Sequence, residues 1–390
     1  MNNLYAPLRI PFRITEDRDE MESLGRQIVE ANPDVYTDRV VGVIKRHIDK
    51  MMPNASADEK ESFYFRSIYD YWAYGDTIME EFYYGFLDKS HAEKSTYLVA
   101  RIREMDINHV NDKQTAAYLL GNKYNAYKLL RQYYRRDMVL IHDESNYDEF
   151  CAFVSRYPNF IVKPVNFAIG LYVVKDSVDN YASPRELFDK LLRERIRIAN
   201  DTSRNNLLNI SGEVDIILEE LINQSSEMAA FHPSSVNCLR IFTFKSGDDV
   251  KAFYPFLKMG NGGSVTDNAA GGGLFAAINV STGVVETDLF DEGRYLNEPV
   301  EFHPDTGVKV RGFQIPRWDE AVSLAKECAR KLDGVNYVGW DLALTPDGWC
   351  IIEGNEYGEP VFYQIAYGRG IRREFEEIIG WKSDKQFWWQ

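Results

Sequence analysis

Between about residues 16 and 110 the apolar positions recur at helical spacing, as in Phe63, Tyr64, Ile68, Tyr71 and Trp72 and again in Ile78, Phe82, Tyr83 and Phe86. A period near 3.6 with one apolar face predicts an α-helical N-terminal region. Its aromatic stripe reads as core, because such side chains bury the most area. Asp112 is placed to cap a short helix through Thr115 to Leu120, and residues 122–130 start another. Beyond about residue 121 the pattern changes to short apolar runs. Residues 138–141, 160–165, 170–175 and 214–222 read as strands, with helices over 147–157 and 183–198; Pro184 suits the first turn of the second helix. Residues 236–258 read as two strands around a Ser-Gly-Asp-Asp turn, strand resumes at 274–280 and 284–287, and a helix over about 318–332 follows.

The last pattern in the chain is YVGWDLALTPDGWCIIEGNE, residues 337–356, two strands joined by Thr345-Pro346-Asp347-Gly348. Pro pre-sets φ, Asp bonds its own backbone and Gly supplies a left-handed residue, so a hairpin is predicted. If Pro346, Asp347 and Gly348 form a three-residue loop, Thr345 faces Trp349. Counting back then sets Asp341 opposite Glu353, with Asn355 two residues further on the same face. Trp340, Leu342, Leu344, Cys350 and Ile352 fall on the other, core face. Like charges directly opposite one another destabilise a hairpin, so the two acids call for a cation; two carboxylates and an amide suit Mg²⁺ bridging phosphates. On these residues alone, a polar face meeting water is the alternative.

The order of helices and strands from residue 121 onward is mixed, which indicates an α+β fold with a largely antiparallel sheet. Composition adds exclusions more than assignments. A chain of 390 residues has room for two or three domains. Its net charge of −15 argues against non-specific binding to nucleic acid or anionic membranes, so an anionic substrate needs a local basic pocket. Cys151, Cys238, Cys328 and Cys350 lie far apart without metal-ligand spacing and read as reduced structural thiols. The first twenty residues lack an apolar secretory core and no run approaches membrane-spanning length, so a soluble, cytoplasmic protein is expected.

Several weak signals remain. Lys123 stands at a helix start, Lys163 inside a strand and Arg240 among apolar neighbours, while residues 217–222 form an apolar strand ending in acids. Residues 260–273, GNGGSVTDNAAGGG, form a glycine-rich loop flanked by Lys258, Asp267 and Asn268, groups suited to phosphate or metal. A mobile loop, an edge lysine and a salt-bridge arginine are the structural alternatives for these features taken singly.

In order, FIVKP at 160–164, ILEELI at 217–222, SVNCLRIFTF at 235–244, TDNAAGGG at 266–273 and GWDLALTPDGWCIIEGN at 339–355 resemble the ATP-grasp superfamily. The resemblance is greatest to the sugar-transfer-associated ATP-grasp proteins of polysaccharide biosynthesis, and it covers roughly 115 to 380. It implies an ATP-grasp fold, two α+β subdomains clamping ATP, over 115–390, with a small lid subdomain at about 158–221 and a helical region at 1–114. By the same resemblance, Lys163 and Lys123 reach the nucleotide phosphates. Glu219, Glu220 and Leu221 belong to the adenine hinge, with Glu219 on the amino group, and Glu227 reaches the ribose. Asp341, Glu353 and Asn355 hold Mg²⁺, Arg240 and Lys258 stabilise the transferred phosphate, and Asn268 lies near the acceptor.

The implied activity is a Mg²⁺- and ATP-dependent carboxylate–amine ligase working through an acylphosphate. Its partners would be a sugar acid or amino acid and an amine co-substrate in surface polysaccharide (capsule) formation, with no nucleic acid, no membrane insertion and a possible homodimer. A kinase acting on a hydroxyl and an inactive nucleotide-binding partner protein are the alternatives. Residues 165–170 depart from the family pattern, since Gly170 is the only glycine where several usually cover the phosphates.

Overall fold

The computed structural model describes residues 8–167, 170–201, 214–264, 267, 272–291 and 299–382. The described chain forms two compact units, one of residues up to 109 and from 364 onward, the other of residues 110–291 and 299–363.

In the first unit the helices Arg18–Ala31, Asp38–Met51, Ala57–Tyr74 and Ile78–Tyr84 each begin at a residue whose side chain accepts a hydrogen bond from the first turn: Asp17, Thr37, Ser56 and Thr77. Ser56 and Thr77 complete reciprocal capping boxes with Glu59 and Glu80, satisfying two orphan donors at each start. The aromatic stripe is core: Phe63, Tyr64, Ile68, Trp72 and Phe82 pack together, with Phe63 stacked on Phe82 at 4.6 Å. Gly25 is required here, because a Cβ would fall 2.0 Å from the Phe65 carbonyl oxygen.

Sequence placed residues 364–390 with the catalytic fold, whereas the described part of that segment packs with the N-terminal helices. Gln364 explains why: its Oε1 accepts from Leu98 N at 2.9 Å and its Nε2 donates to Tyr84 Oη at 2.8 Å. Further on, Arg372 N donates to Thr96 O at 2.9 Å. Contacts this far apart in sequence leave no local periodicity to read.

The first unit also holds buried acids. Burial, reinforced by Glu376, pushes the Asp106 carboxyl from 3.8 up to about 7. Asp76 and Glu81 rise as well, from burial and then the neighbouring Asp70 charge. Between pH 3.8 and about 7 the unfolded chain has lost the Asp106 proton that the folded chain keeps, so stability falls as pH rises through that window. The expected loss from Asp106 is on the order of 4 kcal/mol. Denaturant midpoints should therefore be higher at pH 5 than at pH 8, with a shallower difference in Asp106→Asn; equal midpoints in the unmodified chain would contradict the protonated state.

The second unit contains two antiparallel sheets. Strands β1 (Met138–Ile141), β2 (Asn159–Pro164), β3 (Val174–Ser177) and β4 (Ile216–Glu220) lie in the order β1-β4-β2-β3. Helices Tyr147–Arg156 and Pro184–Ala199 bury Phe150, Phe153, Leu187, Phe188 and Leu191 against Ile141, Phe160, Ile216 and Leu218. Strands β5 (Cys238–Ser246), β6 (Asp249–Met259), β7 (Leu274–Ala277), β8 (Phe290–Asp291), β9 (Tyr337–Thr345) and β10 (Gly348–Asn355) lie in the order β10-β9-β5-β6-β7-β8. Helix Trp318–Arg330 covers this sheet through Ala321, Leu324, Ala325 and Cys328, which meet Leu239, Ile241, Leu257 and Leu342.

Two expected strands differ. The run at 170–175 pairs only from Val174, because Gly170 and Tyr172 adopt left-handed φ of 72° and 59° that a ladder does not accept. Residues 284–287 make only isolated bridges, Ile278 to Val285 and Val284 to Gln314.

The terminal hairpin is also built differently. Thr345 pairs with Gly348, so the loop is Pro346-Asp347, one residue shorter than expected. Trp349 and Ile351, rather than Cys350 and Ile352, therefore join Trp340, Leu342 and Leu344 in the core. A bulge at Ile352 adds the missing residue and restores the pairs Glu353 with Asp341 and Asn355 with Gly339. No helix among the described residues is long and apolar enough to cross a membrane.

Candidate active site

The site is built on neighbouring strand positions. Arg240 on β5 faces Asp341 on β9, and Cys238 on β5 faces Lys258 on β6. Arg240 grips Asp341 in two-pronged fashion, Nε to Oδ1 at 2.5 Å and the terminal NH2 to Oδ2 at 2.8 Å. Lys258 Nζ donates to the same Oδ2 at 3.2 Å and lies 3.8 Å from Asp267, whose Oδ2 accepts from Cys238 Sγ at 2.6 Å. Burial raises the Asp341 pKa, but the Arg240 and Lys258 charges outweigh it and hold the carboxyl below its ordinary range. Burial works against both cations too, and Asp341 for Arg240, with Asp267 and Asp341 for Lys258, leaves each above its ordinary value. Burial raises the Asp267 carboxyl despite the Lys258 charge, and burial and then Asp267 push the Cys238 thiol far up.

A second ionic group lies on the smaller sheet. Lys163 on β2 donates to Glu219 Oε2 on β4 at 2.5 Å. Glu219 Oε1 accepts from Arg136 Nε at 2.7 Å and also from its terminal nitrogen. Burial raises the Glu219 pKa, yet Arg136 and Lys163 bring it below the ordinary value. Arg136 then crosses to the hairpin, donating to Ile351 O at 2.6 Å and Ile352 O at 3.2 Å. Those carbonyls flank the bulge that brings Glu353 opposite Asp341.

Lys123 joins the two groups. It opens helix Lys123–Tyr134, capped by Asn122 Oδ1, which accepts from Tyr124 N at 3.0 Å and Asn125 N at 3.1 Å. Its backbone N–H donates to Val165 O at 2.8 Å, its Nζ to Phe167 O, and the ammonium lies 3.9 Å from Glu353 Oε2. Burial lowers its pKa, Glu353 resists and Lys163 adds to the lowering. Two lysines thus share one neighbourhood, which an anion between them would relieve.

The structure brings Lys123, Lys163, Glu219, Glu353, Asp341, Arg240 and Lys258 into these linked groups. Asn355 follows Glu353 with its Nδ2 donating to Gly339 O at 3.3 Å. Glu219 differs from expectation, since its carboxylate is engaged by Lys163 and Arg136 instead of pointing at an open adenine position. Glu220 faces the other way on β4, where its Oε2 accepts from Asp137 N at 3.0 Å. Leu221 is half-buried just past β4, and Glu227 is exposed on the short helix Ser226–Ala229, where its carboxylate accepts from Ser226 Oγ at 3.4 Å. Asn268 and residues 265–266 and 269–271 of the glycine-rich run lie outside the described residues, as do residues 168–169 of the glycine-poor segment. Arg136 was missed in sequence because Arg135-Arg136 before a strand reads as a surface pair; only Arg135 is exposed.

The donor set suits Mg²⁺ carried on phosphates. That ion takes one or two carboxylates plus phosphate oxygens and waters, and needs no all-protein cage. Among the described residues no group of three His, Cys, Asp or Glu forms such a cage. Within this donor set Glu353, with its side chain 30% exposed, and Asn355 are accessible, whereas Asp341 is 5% exposed and held by Arg240 and Lys258.

The family model for sugar-transfer associated ATP-grasp proteins matches residues 103–379. Solved structures with similarity include the L-amino acid ligase from Bacillus licheniformis, at 16% identity and TM-score 0.36 over 62% of this chain and 44% of that one. Carboxyaminoimidazole ribonucleotide synthase from Aspergillus clavatus in complex with ATP matches at 12% identity and TM-score 0.39 over 71% and 56%. The ATP-grasp ligase PsnB with a phosphomimetic precursor variant, Mg and ADP matches at 13% identity and TM-score 0.36 over 67% and 56%. The chain spans about half the length of these solved proteins. No curated protein matches it.

Proposed function

The chain belongs to the sugar-transfer associated ATP-grasp family, and from that premise we propose that it is a Mg²⁺- and ATP-dependent carboxylate–amine ligase. The observation that carries the reading is the convergence of Arg240 and Lys258 on Asp341 and of Lys123 on Glu353, with Lys163, paired to Glu219, close enough to Lys123 to act on its charge. Phosphoryl transfer demands positioning and charge neutralisation and no protein nucleophile, and these residue types supply both.

In this reading Lys123 and Lys163 receive the nucleotide phosphates. Arg240 and Lys258, held ready by Asp341, take up the charge on the phosphoryl group in transfer. Glu353 and Asn355, with Asp341, would hold Mg²⁺, which supplies further neutralisation when bound. The acid's carboxylate oxygen forms a bond to the γ-phosphorus as the bond to ADP breaks. The amine then attacks the acyl carbon, phosphate leaves and the amine proton passes to solvent or phosphate. The family's association with sugar transfer supports a saccharide-related acid and amine; in our reading they belong to surface polysaccharide assembly and the protein acts in the cytoplasm.

A panel of sugar acids and amino acids, each with and without amines, tests this through stimulated ADP release. Release of ADP and free phosphate only when acid and amine are both present supports a ligase; phosphate retained on a hydroxyl acceptor makes the protein a kinase. Lys163→Ala is expected to weaken ADP binding by at least about tenfold in calorimetric titration, since it removes one charge-assisted phosphate contact. An unchanged affinity would move the phosphate site elsewhere.

A further inference from the structure

On the far side of β4 from Lys163, where Glu220 points, lies an open basin of about 900 Å³. Six cations line it, Lys128, Arg131, Arg135, Arg136, Arg156 and Lys331, against two carboxylates, Asp137 and Glu220. The chain as a whole has 60 acidic and 45 basic residues, so a patch of its surface should be richer in acids, and this one is reversed.

The two acids are already engaged. Asp137 lies 3.2 Å from Arg131 and 3.1 Å from Arg156, and accepts from Tyr157 Oη at 3.1 Å; Glu220 accepts from the Asp137 backbone. Arg135 leans toward Glu320 at 3.7 Å and donates to Asp347 O. Lys128 and Lys331 are exposed and have no ion-pair partner among the described residues; Lys128 lies 5.3 Å over the Tyr124 ring. A helix C-terminus welcomes basic residues, and that accounts singly for Arg131 and Arg156 in the last turns of Lys123–Tyr134 and Tyr147–Arg156 and for Lys331 just past Trp318–Arg330. It does not account for Lys128 in mid-helix, or for three helix ends converging on the same space.

We propose that this basin binds a small ligand bearing two or more phosphates, separately from the nucleotide site. Its volume lies within the range of small-molecule sites. Several guanidinium forks beside two unpaired ammoniums match closely spaced phosphate oxygens. The free diphosphate and the diphosphate of a sugar nucleotide share this chemistry.

Inorganic pyrophosphate, titrated calorimetrically into the full chain at low ionic strength, tests the proposal. Lys128→Ala/Lys331→Ala changes only exposed side chains, and it should weaken pyrophosphate binding by about tenfold or more while thermal unfolding stays unchanged. Lys163→Ala, in the nucleotide site, should leave that binding event in place. Uridine diphosphate glucose in a parallel titration distinguishes the sources: binding as tight as pyrophosphate and equally sensitive to the double substitution assigns the basin to a sugar nucleotide, and weaker binding assigns it to the free diphosphate. No binding of pyrophosphate, insensitivity to the double substitution, or complete loss in Lys163→Ala would each overturn the proposal.

Discussion

Arg136→Met is expected to destabilise the second unit by about 3–5 kcal/mol, the cost of breaking a buried ion pair from one side. Arg136 supplies both donors to Glu219 Oε1 and both donors to the carbonyls of Ile351 and Ile352. Methionine fills much of the volume and none of those bonds, leaving Glu219 buried with Lys163 alone. That lysine is then held more tightly by its remaining partner and is less available to a phosphate, so nucleotide affinity should fall with stability. Urea unfolding and ADP titration measure the two effects. The double variant Arg136→Met/Glu219→Gln should not recover the stability, because Lys163 then loses its remaining buried partner. An unfolding midpoint unchanged in Arg136→Met would contradict the role given to the bulge and its arginine.

Asp341→Asn is expected to abolish Mg²⁺-dependent ATP turnover and, in addition, to cost about 3–5 kcal/mol of stability. From the hairpin alone this substitution looks harmless to the fold, an exchange of one short polar group for another. In the structure Asp341 is the shared counter-ion of Arg240 and Lys258, with its side chain only 5% exposed. An amide accepts at one oxygen and offers no charge, so Arg240 loses its counter-ion, Lys258 is left with Asp267, and the Nδ2 faces their donors. Turnover assays combined with thermal unfolding distinguish this from a simple loss of a metal ligand. Lost turnover at full stability would place Asp341 outside the ionic cluster.

What sequence made legible follows from the range of each interaction. Asn122, Ser183 and Asp112 were readable as helix starts, because a cap acts within three residues of itself. The core stripe of Phe63, Ile68 and Trp72 was readable for the same reason, its period being local. The facing of Asp341 and Glu353 was reached by a loop count one residue too long, and a bulge at Ile352 supplies that residue. Nothing in Cys350-Ile351-Ile352 announces the bulge, and the guanidinium that meets its carbonyls, Arg136, stands more than 200 positions away. Lys163 stood out as a charge in an apolar strand, whereas its relation to Glu219 needs β2 and β4 paired, Lys163 opposite Ile217 and Ile161 opposite Glu219. The packing of the C-terminal helix Arg372–Ile379 with the first unit has no local signal, because its anchoring bonds reach back to residues near 98.

Glu353 offers the cleanest test of the central claim. Its side chain is 30% exposed and its nearest cation, Lys123, lies 3.9 Å away, so Glu353→Gln removes a ligand charge without stranding a buried partner. ATP is titrated calorimetrically into the unmodified chain and into Glu353→Gln, each with and without Mg²⁺. Mg²⁺ should tighten ATP binding by about tenfold or more in the unmodified chain and give little gain in Glu353→Gln. ATP affinity indifferent to Mg²⁺ in the unmodified chain, or an equal Mg²⁺ gain in both proteins, would contradict a nucleotide–metal site at this hairpin.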